Sequence, residues 1–149
     1  MDKEKEDCVL ETSFYIIKPH GLMFLEEIRA MIEGGSLIIS ESKRLVMPHW
    51  ALEIIYSDLP KRYRNAVFKP FVDAFVEAGL VVGKNAINVL LQITGTELDP
   101  ADCTPESIRF KFGWQKPFMI NNVRCYKNII HRSRDKAEAK KDIKVFRML

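Results

Sequence analysis

The chain is short of nearly every feature that would commit it to a special environment. It has only three cysteines, Cys8, Cys103 and Cys125. An odd number without C-x-x-C spacing gives neither a disulfide framework nor a zinc ribbon, and points to a reducing compartment. No apolar run approaches the ~18 residues of a membrane span, and the first seven residues are charged where a signal peptide would be apolar. A cytoplasmic protein with no membrane partner is therefore expected. Charge of one sign is scarce as well. A net charge of +3 mildly favours anionic ligands but lacks the excess of an electrostatic nucleic-acid binder, so no nucleic-acid partner is expected. Repeats and low-complexity tracts are missing, as is any His, Cys and carboxylate cluster with zinc or calcium spacing.

What remains is ordinary globular composition, 47% hydrophobic and 29% charged over 149 residues. That fits one domain over residues 1–149, with residues 1–10 expected to be flexible. A chain of this length buries roughly 68–70% of its unfolded surface and needs no covalent staple.

Hydrophobic patterning predicts the elements. Thr12 to Ile17 is β-branched and aromatic and stops at Lys18-Pro19-His20-Gly21, which reads as strand, then loop. Phe24, Leu25, Ile28, Met31 and Ile32 recur at helical intervals before Gly34-Gly35. Ser36 to Val46 holds a second strand, and Pro48 opens a helix towards Tyr56. Lys61 to Phe71 has helical spacing with a break expected at Pro70. Phe75 to Val82 reads as strand, Asn85 to Ile93 as helix, and Leu98 to Glu106 as irregular loop. Phe112 to Lys127 is undecided by pattern. Val123 to Ile130 should end in a strand, and Ser133 is a candidate cap for a last helix with an apolar side at Ala139, Ile143 and Phe146. This order suits an α+β sandwich with helices on one face of an antiparallel sheet.

The sharpest chemical candidate is Asn128-Ile129-Ile130-His131-Arg132-Ser133, followed by a helix bearing Asp142. An imidazole emerging from a buried strand beside a helix start can accept a phosphoryl group, provided the attacking nitrogen is neutral and the other N–H has an acceptor. Asp142, or Ser133 bridging to it, could be that acceptor. A structural or surface histidine fits the same residues.

The segment resembles the active-site motif of the nucleoside diphosphate kinases, in which Asn-Ile-Ile-His precedes a small residue and a serine. Three further segments fall in that family's order: Phe14-Tyr15-Ile16-Ile17-Lys18-Pro19 with Gly21, Tyr56 with Asp58-Leu59, and Asp99-Pro100-Ala101-Asp102 with Pro105, Ile108 and Arg109. The likeness spans residues 12 to 147. It implies a ferredoxin-like βαββαβ sandwich, a four-stranded antiparallel sheet with helices packed on it. It also implies transfer of a γ-phosphate from a nucleoside triphosphate to a nucleoside diphosphate through a phosphohistidine, in two half-reactions at one site.

By the same resemblance His131 is the nucleophile, Lys18 contacts the transferred phosphate, and Arg109 grips the phosphates. Asn128 meets the ribose hydroxyl and phosphate side, and Tyr56 stands beside the histidine. Tyr63 stacks on the base and Val67 lies against it. Asp142 takes the place of a glutamate behind the histidine, one methylene shorter, with Ser133 as a relay. Mg2+ is implied as a passenger on the nucleotide phosphates, and the assembly as a homo-oligomer, tetramer or hexamer.

Several positions depart from the family pattern. His20 replaces an aspartate, either as a simple turn residue or otherwise, and Leu91 stands where a second phosphate-binding arginine is expected. The threonine of the next loop is displaced, leaving Thr94 or Thr96. Arg132 occupies the position of a small residue. It either supplies the charge missing at Leu91 or is, with Arg134, solvated at a helix start. Losing one preorganised donor costs ~10²–10³ in rate. A weakened enzyme is therefore an expectation, and a nucleotide-binding member with weak or no transfer, serving regulation or assembly, is the alternative. The stretch between Arg109 and His131 is longer than usual, and its aromatics either cover the core or seek a partner. A more distant reading takes Arg109 to Trp114, where basic and aromatic residues interleave, as the stacking strand of an RNA-binding sheet.

Overall fold

The structure, a computed structural model, describes residues 10–149. Cys8 and most of the segment expected to be flexible lie outside the described residues. The eight-residue strand β1 (Leu10–Ile17) is buried from Ser13 onward, which explains why Phe14 to Ile17 is an unbroken apolar run rather than an alternating one. It lies inside a four-stranded sheet of order β2-β3-β1-β6, where β2 is Ile38–Val46, β3 is Phe75–Lys84 and β6 is Ile130–Arg132. Every pairing is antiparallel, and a register irregularity between Ile39 and Glu41 interrupts β2. This is the ferredoxin-like α+β sheet with helices packed on it.

The helices cover both faces of the sheet, not one. Alternate β1 side chains show why: Phe14 and Ile16 belong to one apolar cluster, Tyr15 and Ile17 to another. The first cluster takes its cover from α2 (His49–Ile55), α3 (Lys61–Phe68) and α6 (Lys136–Met148). The second takes it from α1 (Leu25–Gly34), α4 (Ala86–Thr94) and α5 (Ile108–Phe112).

Most predicted breaks fall where the local chemistry demands. Asn85, at φ 51°, caps α4 in the left-handed region, and Gly95, at φ 109°, ends it. Pro70 sits in a 3-10 turn (Lys69–Phe71) that terminates α3. The segment Leu98 to Glu106 is not wholly irregular, since Asp99 accepts a hydrogen bond from the Ala101 N–H and opens a 3-10 turn at Pro100–Asp102. Ser133 does not cap α6. Asp135 does, accepting the Glu138 N–H at 2.8 Å. The residues offered as an RNA-stacking strand form helix α5 and the turn after it, so that reading falls.

The undecided stretch contains a hairpin of β4 (Phe118–Ile120) and β5 (Val123–Cys125). Its two turn residues, Asn121 and Asn122, have φ of 48° and 63°, which is the type I′ geometry that matches strand twist. β5 packs against α3.

Gly79 on β3 lies directly under the ring of buried Tyr15, so a Cβ there would come within 2.5 Å of the phenol oxygen. Gly79→Ala is expected to destabilise the fold by about 1–3 kcal/mol, read as a lower melting temperature.

Candidate active site

Register brings the site together. β6 pairs with β1 as Tyr15↔Arg132, Ile16↔His131 and Ile17↔Ile130, which sets His131 beside the point where β1 gives way to Lys18. Just before β6 the chain makes a γ-turn. The Ile130 N–H donates to the Asn128 carbonyl at 2.9 Å, with Ile129 at φ 77°. Such a φ is strained for a β-branched side chain. Burial of the Ile129 side chain and a hydrogen bond from the Lys18 N–H to its carbonyl, 2.8 Å, hold the turn. Gly21 leaves room for it, since a Cβ there would lie 2.8 Å from Ile129 Cγ2.

The imidazole that follows is packed by Phe14 and Tyr56, with ring centroids 6.0 and 5.1 Å away. Its Nε2 is 3.3 Å from Asp142 Oδ2, which also accepts the Ser133 hydroxyl at 2.8 Å. Asp142 is fully buried. An ionised carboxylate can only accept, so Nε2 carries the proton and Nδ1 keeps its lone pair. Burial pulls the His131 pKa below the ordinary histidine value, against the opposing pull of Asp142, so the ring is neutral at pH 7.

His131 borders a cavity of about 860 Å³. Lys18, Arg109 and Asn128 line it at the histidine end, and Tyr56, Tyr63 and Val67 line it towards α3. Ser133 and Asp142 stand behind the imidazole. The residues to which the resemblance gives a catalytic or binding role therefore line one cavity or stand directly behind its histidine.

The histidine end is strongly cationic. Lys18 Nζ donates to Asn128 Oδ1 at 2.7 Å, and Asn128 Nδ2 to the Leu98 carbonyl at 3.2 Å. Arg109 binds backbone carbonyls, that of Ile130 through Nε and Nη2 and that of Glu97 through Nη1. Among the described residues no carboxylate pairs with Lys18, Arg109 or Arg132. Burial and the two neighbouring guanidinium groups bring the Lys18 pKa down to about 7. Burial and Arg132 bring Arg109 down to about 9. Buried cations without counter-ions make a site for a phosphate-rich ligand.

Other cavity residues had weaker sequence signals. His20 is more than a turn residue: it borders the cavity, and its buried Nε2 has no hydrogen-bond partner. Burial, with Lys18 and Lys127 nearby, lowers its pKa to about 4 and keeps it neutral. Glu138 lies one helical turn before Asp142 on α6, a spacing that puts both carboxylates on one face. The hairpin adds Phe118, Val123, Arg124 and Cys125 to the cavity lining. Of the two candidate threonines, Thr96 borders the cavity, while Thr94 is fully buried and donates its hydroxyl to the Leu90 carbonyl at 2.8 Å. Leu91 is half-buried on α4 and is not part of the cavity lining.

His131, Glu138 and Asp142 bring ligand atoms within 4.8 Å of one another. Protein donors already engage both carboxylates, Asp142 through His131 and Ser133, Glu138 through Arg134 at 2.9 Å. The donor set does not resemble an oxygen cage for a hard cation.

The layered sheet and the carboxylate-backed histidine among unpaired cations place the protein with phosphate-handling α+β domains. The sequence model described as Nucleoside diphosphate kinase matches residues 11–147, and the chain belongs to that family. Solved structures agree on the fold. The nucleoside-diphosphate kinase of Borrelia burgdorferi, a transition-state mimic with bound vanadate and ADP, superposes with a TM-score of 0.80 at 21% identity, over 92% of this chain and 86% of that one. The apo enzyme of Encephalitozoon cuniculi gives 0.76 at 26% identity, over 91% and 88%. The Aquifex aeolicus enzyme gives 0.77 at 22% identity, over 93% and 95%. No curated protein sequence matches the chain. No helix among the described residues is long and apolar enough to cross a membrane.

The cationic cavity has a stability consequence. Lys18 in the fold titrates near 7, against 10.5 for a free lysine. The unfolded chain therefore binds the extra proton between those values, and stability rises with pH across that window. Lys18→Met is expected to raise the melting temperature of the ligand-free protein, with ~2–4 °C for each kcal/mol relieved. The gain should be full below pH 7 and fade as pH approaches 10.5. Thermal melts across pH check both sign and window.

Proposed function

We propose that the protein is a nucleoside diphosphate kinase working through a phosphohistidine at His131, with magnesium arriving on the substrate phosphates. The carrying observation is a neutral imidazole whose Nε2 is tied to Asp142, bordering a cavity walled by unpaired cations. In the first half-reaction the Nδ1 lone pair attacks the γ-phosphorus of a nucleoside triphosphate. A P–N bond forms, the P–O bond to the β-phosphate breaks, and the nucleoside diphosphate departs with the bonding electrons. The Nε2–H stays in place, and Asp142 stabilises the charge on the ring. In the second, a terminal oxygen of another diphosphate attacks the same phosphorus and the P–N bond breaks.

Lys18, Arg109 and Asn128 neutralise and orient the phosphates, the main task in a transfer whose charge spreads over the equatorial oxygens. Tyr56 packs the imidazole. Tyr63 and Val67 offer an aromatic and an aliphatic surface to the base, recognition that tolerates any π-face. These roles, a single domain, a cytoplasmic setting and a homo-oligomer complete the reading. Edge strand β2, with exposed Ile38 and Val46, supports the last.

Incubation with γ-labelled ATP and magnesium should give an acid-labile, base-stable phosphoprotein that passes its label to GDP. His131→Gln should abolish labelling while ADP still binds. ADP binding by the unaltered protein without any label would replace the enzyme with a nucleotide-binding protein.

A pH profile follows from this reading. For kcat/KM, which reports the free enzyme, the acid limb should fall below the ordinary histidine value of 6.5, because only the neutral ring attacks. The alkaline limb should lie near pH 7, as Lys18 loses its proton. For kcat the alkaline limb should move upward, since bound phosphates favour charged Lys18. Initial rates at limiting and saturating nucleotide test this.

A further inference from the structure

Arg132 directly follows the histidine, is 5% exposed and is one of the residues that line the cavity. It is no solvated arginine at a helix start. Arg134 is: it is exposed and pairs with Glu138 and Asp58. Two nitrogens of Arg132 are anchored at the C-terminal end of α4. Nε donates to Thr94 Oγ1 at 3.0 Å and Nη2 to the Gly95 carbonyl at 2.8 Å. Thr94 in turn spends its own proton on the Leu90 and Leu91 carbonyls, which leaves its oxygen free to accept. Nη1 makes no hydrogen bond among the described residues and is not among the buried unpartnered atoms.

We propose that Arg132 is a third phosphate-binding cation of this site, presenting Nη1 to the non-bridging oxygens of the nucleotide and of the transferring phosphoryl group. The proposal rests on the kinase reading and extends it to a residue that departs from the family pattern. It also accounts for Leu91. With a guanidinium entering from β6 and gripping the end of α4, a cation projecting from α4 itself is unnecessary. A buried guanidinium without a carboxylate is costly by itself, and a ligand phosphate supplies the missing counter-charge. The Thr94 hydroxyl and the Gly95 carbonyl at the end of α4 hold the side chain in place before any ligand arrives, as preorganised electrostatic stabilisation requires.

The test compares wild type, Arg132→Gln and Arg132→Lys for binding of ADP and adenosine with magnesium, for labelling by γ-labelled ATP, and for melting temperature without ligand. Arg132→Gln should weaken ADP roughly 10–100-fold at unchanged adenosine affinity, and slow labelling ~10²–10³-fold. Arg132→Lys, which keeps the charge but loses the fork, should fall between the two. A variant that loses melting temperature yet keeps the wild-type ratio of ADP to adenosine affinity would make Arg132 a structural clamp and overturn the proposal. So would unaltered labelling by Arg132→Gln. If Arg132→Gln does not fold, Arg132→Lys alone decides, because an unchanged ratio and labelling rate in that variant also overturn it. Absence of ADP binding and labelling in the wild type would instead remove the kinase reading.

Discussion

The hydrogen bond from the Lys18 N–H to the Ile129 carbonyl joins the two segments on which the site depends. It closes the end of β1 against a γ-turn that a β-branched residue would not adopt alone. Everything on either side follows from that closure: Lys18 on one strand end, His131 two residues past the turn on the other, and Gly21 kept bare to let them approach. The unfavourable backbone at Ile129 persists because the surrounding packing over-determines it. Strain of this kind is more economical than a flexible loop when an imidazole must be held in one orientation.

The site is built from two opposed electrostatic arrangements. Behind the imidazole, buried Asp142 accepts from the ring and from the Ser133 hydroxyl and fixes the tautomer. In front, Lys18, Arg109 and Arg132 repel one another, and among the described residues none of the three pairs with a carboxylate. The first arrangement is met within the protein at Asp142 Oδ2, which faces both His131 and Ser133. The second is left to be satisfied from outside, and the depressed titration of Lys18 expresses that imbalance.

Much of this was legible in the residues. β1 announced itself as an unbroken run from Phe14 to Ile17, and the cluster around His131 as an apolar strand end with a polar exit. Lys18, Tyr56, Tyr63, Val67, Arg109 and Asn128, named by the family resemblance, line one cavity. Other features hid for physical reasons. The β4–β5 strands are only three residues each, too short for period-two alternation, and their signal was the Asn121-Asn122 pair alone. Ser133 looked like a cap because serine before a helix usually is one, but Asp135 competes for the same role and frees the serine for Asp142. The cover on both sheet faces was concealed because a fully buried central strand carries no polar side to mark an exposed face. Arg132 reads as a surface residue by type, and only its pairing with Tyr15 turns it inward.

The hairpin leaning on α3 gives the cavity two jaws from distant parts of the chain, one helical and one extended. They approach each other without a shared backbone ladder. A molecule lodged between them is gripped from opposite sides, and its escape depends on how readily the jaws part. Residence time at such a mouth is thus adjustable at the hairpin tip, where Asn122 itself borders the cavity.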